Sequence, residues 1–278
     1  MPASACHSGD GSPLRGTFLV PARGTWKVDS LSTVKPHNGK RPLKTLERVL
    51  SKAGLGSRTE ARKWIGAGRV KVNGKKIQTP DHWVDFERDV VALDDKPVRA
   101  SRKIYLLLYK PAGFLTTFKD PEGRPTIYDL IRDVGQWVSP VGRLDLDTSG
   151  LLLLTNDTRL AERITNPDYK VPKTYLVKAS TLLVDEQLNR LREGVELKDG
   201  PTQPTAVRRV RDSAKYSFIE ITISEGRNRQ VRRMIEAVGS HVLKLVRTQL
   251  GPIRIGELQI GKYRELTRRE LEQLGQGP

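Results

Sequence analysis

The chain has 278 residues, 37% of them hydrophobic, and carries 49 Lys and Arg against 32 Asp and Glu, a net charge of +17. That length suits one or two domains with a real core, and that charge favours a polyanionic partner, nucleic acid first. Its one cysteine, Cys6, excludes an internal disulfide. Its four scattered histidines (His7, His37, His82, His241) offer no ligand spacing, and no apolar run approaches the roughly 18 residues of a membrane span or the form of a signal peptide, so a cytoplasmic protein is expected.

Residues 1–40 are rich in Gly, Pro, Ser and Thr without periodicity, and are expected to be a disordered leader or the product of an upstream start codon. Order begins near Leu43. Leu46, Val49, Leu50 and Ala53 recur at helical spacing, and Gly54 closes that helix. Ser57-Arg58-Thr59-Glu60 is a capping box that opens a second helix through Ala61, Trp64 and Ile65. Val70 and Val72 alternate with basic residues as a strand does, Asn73-Gly74 is a hairpin turn, and another strand fits 89–93. Residues 41–98 thus form a compact helix–helix–hairpin unit, in which the charge excess of the chain is densest. Pro97 to Arg102 reads as a linker.

Beyond it, 104–109 is a continuous apolar run of strand length, and a helix is predicted over 124–131. Strands are predicted at 151–155, 173–179, 207–210, 216–223 and 242–250. Helices are predicted around Leu160 to Ile164, Leu188 to Val195 and Val231 to Val238, and after Thr267. Many strands with few helices in irregular order predict an α+β fold with a mixed, largely antiparallel sheet flanked by helices over 103–278.

The sequence from Val141 to Asp157, VGRLDLDTSGLLLLTND, feeds two acids, two hydroxyls and two glycines directly into a buried strand. Catalytic groups favour such loops on rigid sheets, although an acid there is more often a turn or capping group than a nucleophile. Residues 57–74, S-R-x-x-A-x-x-x-I-x-x-G-x-V-x-V-N-G, resemble the S4-type RNA-binding domain. The run G-R-L-D-x-x-T-S-G-L-L-L-L-T-N-D resembles the signature of bacterial ribosomal pseudouridine synthases that pair an S4-type unit with a catalytic domain. Three further stretches resemble the same family: Lys110 to Gly113, Lys173 to Val177 and Glu225 to Met234.

The resemblance implies isomerisation of uridine to pseudouridine in ribosomal RNA, large-subunit RNA first and small-subunit RNA as the alternative. It implies Asp145 as the essential carboxylate, with Asp147 and Asp157 structural. Arg232 pairs with Asp145, and Tyr175 packs on the target base. A flipped pyrimidine needs an aromatic platform, although a half-buried strand tyrosine is equally ordinary at Tyr175. Arg143 is expected to orient the flipped nucleotide. Lys110, Arg227, Arg229 and Arg233 are expected on RNA in the catalytic unit, and Lys44, Arg58, Arg62 and Lys71 in the S4-like unit. A reaction without redox or hydrolysis needs no metal and no cofactor. The expected partner is ribosomal RNA or a pre-ribosomal particle, bound by a monomer away from membranes. A non-catalytic ribosome-assembly factor is the reading of a different class, but binding alone has no use for a carboxylate in an RNA pocket.

Overall fold

A computed structural model describes residues 43–85, 88–99 and 102–275. The expected leader over 1–40 lies outside the described residues, as do Cys6, His7 and His37.

The chain opens with β1 (Lys44–Thr45), α1 (Leu46–Lys52) and α2 (Arg58–Gly66). The predicted capping box forms: Ser57 accepts from the Glu60 amide at 3.1 Å and Glu60 accepts from the Ser57 amide at 2.8 Å. β2 (Val70–Val72) and β3 (Lys75–Ile77) form the hairpin, with Asn73 and Gly74 both at positive φ as its turn demands. β4 (Trp83–Val84), β5 (Val91–Leu93) and β6 (Lys96–Pro97) complete this unit, whose core is Leu46, Val49, Leu50, Ala61, Ile65, Val70, Val72, Val84 and Val91. The connection is shorter than expected. Pro97 still pairs with Ala92, and the Val98 amide donates to Val91 at 2.8 Å. The Trp137 amide donates to the Gly54 carbonyl at 2.9 Å, which ties the end of α1 to the segment around Trp137.

The second part is built on one nine-stranded sheet. In chain order its elements are β7 (Tyr105–Lys110), β8 (Ser139–Pro140), β9 (Ser149–Thr155), α3 (Thr158–Thr165), β10 (Lys173–Ala179), α4 (Asp185–Glu193), the small hairpin β11 (Glu196–Leu197) and β12 (Gly200–Pro201), β13 (Ala206–Asp212), β14 (Ser217–Ile223), α5 (Gln230–Ala237), β15 (Val242–Leu250), β16 (Ile253–Arg254), β17 (Tyr263–Glu265) and α6 (Arg268–Gln273). The sheet runs β13-β14-β10-β15-β9-β7-β17, with β16 on β15 and β8 on β9. Every pairing is antiparallel except β9 with β15. The α+β class with a largely antiparallel sheet is therefore present as expected.

β7 and β9 read as unbroken apolar runs because both of their faces are covered. Leu106, Leu108, Leu152 and Leu154 enter one core cluster, and Leu107, Leu151 and Leu153 the other. Burying each leucine contributes about 1.5–3 kcal/mol, so the central strands form a rigid base for the loop between β8 and β9.

The helix predicted over 124–131 is instead a 3-10 turn at Ile127–Leu130 followed by a second at Arg132–Val134. Its backbone is already engaged: Leu115 donates to Pro125 and accepts from Ile127, both at 2.9 Å, and that bridge leaves no room for a regular helical start. Among the described residues no helix is long and apolar enough to cross a membrane.

Candidate active site

A cleft of about 860 Å³ opens where the loop before β9, the start of β10, the end of β14, the start of α5 and β15 converge. Asp145 lines it together with Arg143, Tyr175, Arg229 and Arg247. Asp147, two residues further on, does not line it.

The loop carrying Asp145 is laced from below. Lys110, at the end of β7, is fully buried and spends its three ammonium protons on three carbonyls: Thr148 at 2.8 Å, Asp145 at 3.0 Å and Pro111 at 3.0 Å. Gly113 donates to the Leu146 carbonyl at 2.7 Å, and the Thr116 hydroxyl donates to the Leu144 carbonyl at 2.8 Å. The Lys110–Gly113 segment is thus the scaffold of the Asp145 loop. Lys110 was expected on RNA, and this is corrected: with no accessible surface, its charge serves the loop alone.

Burial pushes the Lys110 ammonium down to about 8 from its ordinary 10.5, against the opposing pull of Asp145 and Asp147. The folded chain therefore releases this proton well before the unfolded chain does. Below pH 8 both states hold it, and the buried charge costs stability. Between about 8 and 10.5 that cost is relieved, so this group's contribution to stability rises with pH. The loop anchors weaken over the same step, because a neutral amine has one donor fewer. We expect activity to fall along an alkaline limb near pH 8 while the melting temperature does not fall, and Lys110→Met to be less active and to lack the limb. Rate and melting curves measured from pH 7 to 9 test this; a limb that tracks loss of the fold would contradict it.

Asp145 is about one-third exposed, and among the described residues its carboxylate makes one ion pair, a long one with Arg229 Nη1 at 3.9 Å. The expected pair of Arg232 with Asp145 is not made. Arg232, nearly buried, places Nη2 3.2 Å from the Asp147 carboxylate and 3.0 Å from the Asp147 carbonyl, while Nη1 donates to Val242 at 3.3 Å. Arg229 also reaches Asp147 in bidentate fashion, at 3.1 and 3.3 Å. The cause is the direction of the loop: Asp147 turns toward the start of α5, and Asp145 turns into the cleft. Burial works to raise the Asp147 carboxyl, but hydrogen bonding from Arg229 and the charges of Arg232 and Arg229 outweigh it and hold the group below its ordinary range. Arg229 itself is left-handed (φ 46°), a conformation that costs a non-glycine residue about 1–2 kcal/mol and here aims its side chain back at the two acids.

Tyr175 is 9% exposed on β10, opposite Ile221 of β14 and Arg247 of β15, and forms one wall of the cleft. Arg143 is exposed at the mouth and has no hydrogen bond or ion pair among the described residues. The other arginines expected on RNA are engaged inside the chain. Arg227 donates to the carbonyls of Asp199, Gly200 and Pro201 and pairs with Glu225 at 2.8 Å. Arg233 grips Asp199 at 2.6 and 3.0 Å. Together they fasten the β11–β12 hairpin to α5.

In the N-terminal unit Arg58 and Arg62 both close on the buried carboxylate of Glu47. Burial acts to raise that carboxyl, and the hydrogen bonds from Arg62 and Arg58 outweigh it and lower it. Lys71 pairs with Asp95, and Lys44 lies in β1 opposite Val84. Asp157 caps α3 and binds Lys103 and Tyr105, a structural role as expected.

Sequence reasoning missed two participants, neither of which left a local signal. Arg247 enters the cleft from β15, 97% buried. Glu47 holds two arginines. Gly150, one of the two glycines of the motif, lets β9 and β15 meet.

Residues 104–237 match the family model described as RNA pseudouridylate synthase, and residues 45–91 match the S4 domain. The chain is 46% identical over 230 residues to an uncharacterized RNA pseudouridine synthase of Aquifex aeolicus, covering 82% of this chain and 92% of that one. It is 39% identical to the ribosomal large subunit pseudouridine synthase B of Bacillus subtilis, covering 84% and 96%. A crystal structure of a pseudouridylate synthase superposes with a TM-score of 0.61 at 32% identity, over 83% of this chain and 99% of that one.

Proposed function

The chain belongs to the RNA pseudouridylate synthase family, and from that premise we propose that it isomerises uridine in large-subunit ribosomal RNA, with Asp145 as the essential carboxylate. The observation that carries this reading is the division of labour between two neighbouring acids. Asp147, outside the cleft, is tied by two arginines, whereas Asp145 lines the cleft and makes only one long ion pair among the described residues, at 3.9 Å.

The reaction breaks the bond from C1′ of the sugar to N1 and joins C1′ to C5; C5 loses a proton and N1 gains one. The target leaves its stack at a cost of a few kcal/mol. Stacking on the Tyr175 ring, on the order of 1–3 kcal/mol, offsets part of that cost. Arg143, free at the mouth, takes a backbone phosphate of the flipped nucleotide, and Arg229 can join it by letting go of Asp147. Asp145 acts by attack on C1′, by removal of a sugar proton or by addition to the pyrimidine ring. All three need an ionised carboxylate at the junction of sugar and base.

The unit over 41–98 docks structured RNA through its basic face, and the unit over 103–278 carries the chemistry. The name of the Bacillus subtilis relative supports the large subunit as the source of the substrate. A pseudouridine map of ribosomal RNA from a strain lacking this protein is expected to lose one or a few large-subunit sites, regained on complementation. Loss confined to small-subunit RNA would redirect the substrate, and an unchanged map would remove ribosomal RNA as the target.

A further inference from the structure

The cleft holds a cation to which the proposed reaction has so far given no part. Arg247 of β15 is 3% exposed, yet it makes no ion pair with any described acid. Its Nε donates to the Leu151 carbonyl at 2.8 Å, which fixes the plane of the guanidinium. Its Nη2 is buried and has no hydrogen-bond partner among the described residues. A guanidinium stays charged in proteins, and a buried donor left unmade is costly, so such a group calls for an acceptor from outside. Arg247 lies opposite Tyr175 in the β10–β15 pairing, which puts the two side chains on one face of the sheet, and both line the cleft that holds Asp145. Lys173, two residues before Tyr175, lines it too, its Nζ donating to the Val171 carbonyl at 2.9 Å. Burial first, and then the charge of Arg247, push the Lys173 ammonium below its ordinary range.

We propose that Arg247, with Lys173 beside it, is the floor of the uracil subsite: its free Nη2 donates to a carbonyl oxygen of the flipped base and stabilises the negative charge the base gains as the C1′–N1 bond breaks. This rests on the pseudouridine reading of the cleft. Detachment leaves the bonding electron pair on the base, where it spreads onto the carbonyl oxygens; the pair is then spent on the new C5–C1′ bond, and the proton lost from C5 is balanced by one gained at N1. A fixed donor that meets developing charge in a site shielded from water is an efficient form of stabilisation. The phosphates of a flipped nucleotide stay with the RNA backbone at the mouth, where Arg143 lies exposed, and only the base reaches a side chain as deep as Arg247.

The test uses the full-length protein and a ribosomal RNA transcript carrying uracil, 2-thiouracil or 4-thiouracil at the position that the pseudouridine map identifies. Single-turnover conversion is followed by chromatography and mass spectrometry of the nucleosides. Arg247→Met is expected to slow conversion about 10²–10³-fold while RNA affinity changes less than about two-fold, and Arg247→Lys to recover part of the rate. One of the two thio substitutions, a poorer acceptor at the held oxygen, is expected to slow wild type about ten-fold and to leave Arg247→Met unaffected. Conversion by Arg247→Met at the wild-type rate, or a wild type indifferent to both sulfur substitutions, overturns the inference. If Arg247→Met does not fold, the sulfur series on wild type decides alone. A wild type inert on the ordinary uracil transcript overturns the function itself and takes this inference with it, a result distinct from an active wild type that ignores sulfur.

Discussion

Asp145→Asn is expected to abolish turnover, lowering tritium release from RNA labelled at uracil C5 by at least about 10⁴-fold. Asparagine matches the shape of the side chain but carries no charge, so it can neither attack carbon nor take a proton. The loop should survive the change, because its anchors use backbone atoms: Lys110 and the Thr148 amide both bind the carbonyl of residue 145. Melting temperature and RNA affinity should stay near wild type. Asp147→Asn is the informative companion. It weakens the hold of Arg229 and Arg232 on the loop but leaves the cleft carboxylate in place, and a loss of only about ten-fold is expected, as for a supporting contact. Comparable inactivation by both substitutions would remove the distinction drawn between the two acids, and an active Asp145→Asn would remove Asp145 from the chemistry.

Gly150→Ala is expected to be the most damaging single-methyl change in the catalytic unit. A Cβ at residue 150 would lie 2.3 Å from the Arg247 carbonyl oxygen and 2.4 Å from the Arg247 amide nitrogen, and the backbone there has φ of +116°. These neighbours are main-chain atoms of a paired strand, so no rotamer change relieves the clash. Destabilisation of about 4 kcal/mol or more is expected, a fall in melting temperature on the order of 10 °C for a chain of this size. Gly66→Ala, at the end of α2 with nothing within 4 Å of the added methyl, is the control and should be neutral or slightly stabilising. Thermal unfolding of the two variants measures the difference. A Gly150→Ala protein as stable as wild type would mean that β9 and β15 can part without cost.

Local chemistry made much of the fold readable from the residues alone. The Ser57–Glu60 box, the Asn73-Gly74 turn and the Thr267 cap each satisfy backbone donors or turn geometry with their own side chains, so their signals are confined to a few residues. The leucine runs of β7 and β9 were legible for another reason: burial on both faces leaves an unbroken apolar stretch. Other features depend on partners distant in sequence. The start of the 124–131 segment lost its helix to a bridge from Leu115. Arg232 chose Asp147 over Asp145 because of how the loop turns, which spacing does not encode. Lys110 looked like a surface lysine in a basic protein, and only the carbonyls of residues 145 and 148 make it an interior one. Arg247 had no local mark, since a lone arginine in the middle of a mixed strand reads as solvated until its neighbours bury it.

The parallel pairing of β9 with β15 sets Gly150 opposite Arg247, whose side chain bonds the Leu151 carbonyl across 96 residues of chain. During synthesis the Asp145 loop leaves the ribosome long before its partner strand exists. Contacts so far apart in sequence form late, after the intervening segments have collapsed. Until β15 docks, the cleft lacks Arg247 and one of its walls, and the emerging polypeptide carries an acid with no pocket around it. On the reading proposed above, the chain therefore becomes active only after β15 has been synthesised and has docked beside β9.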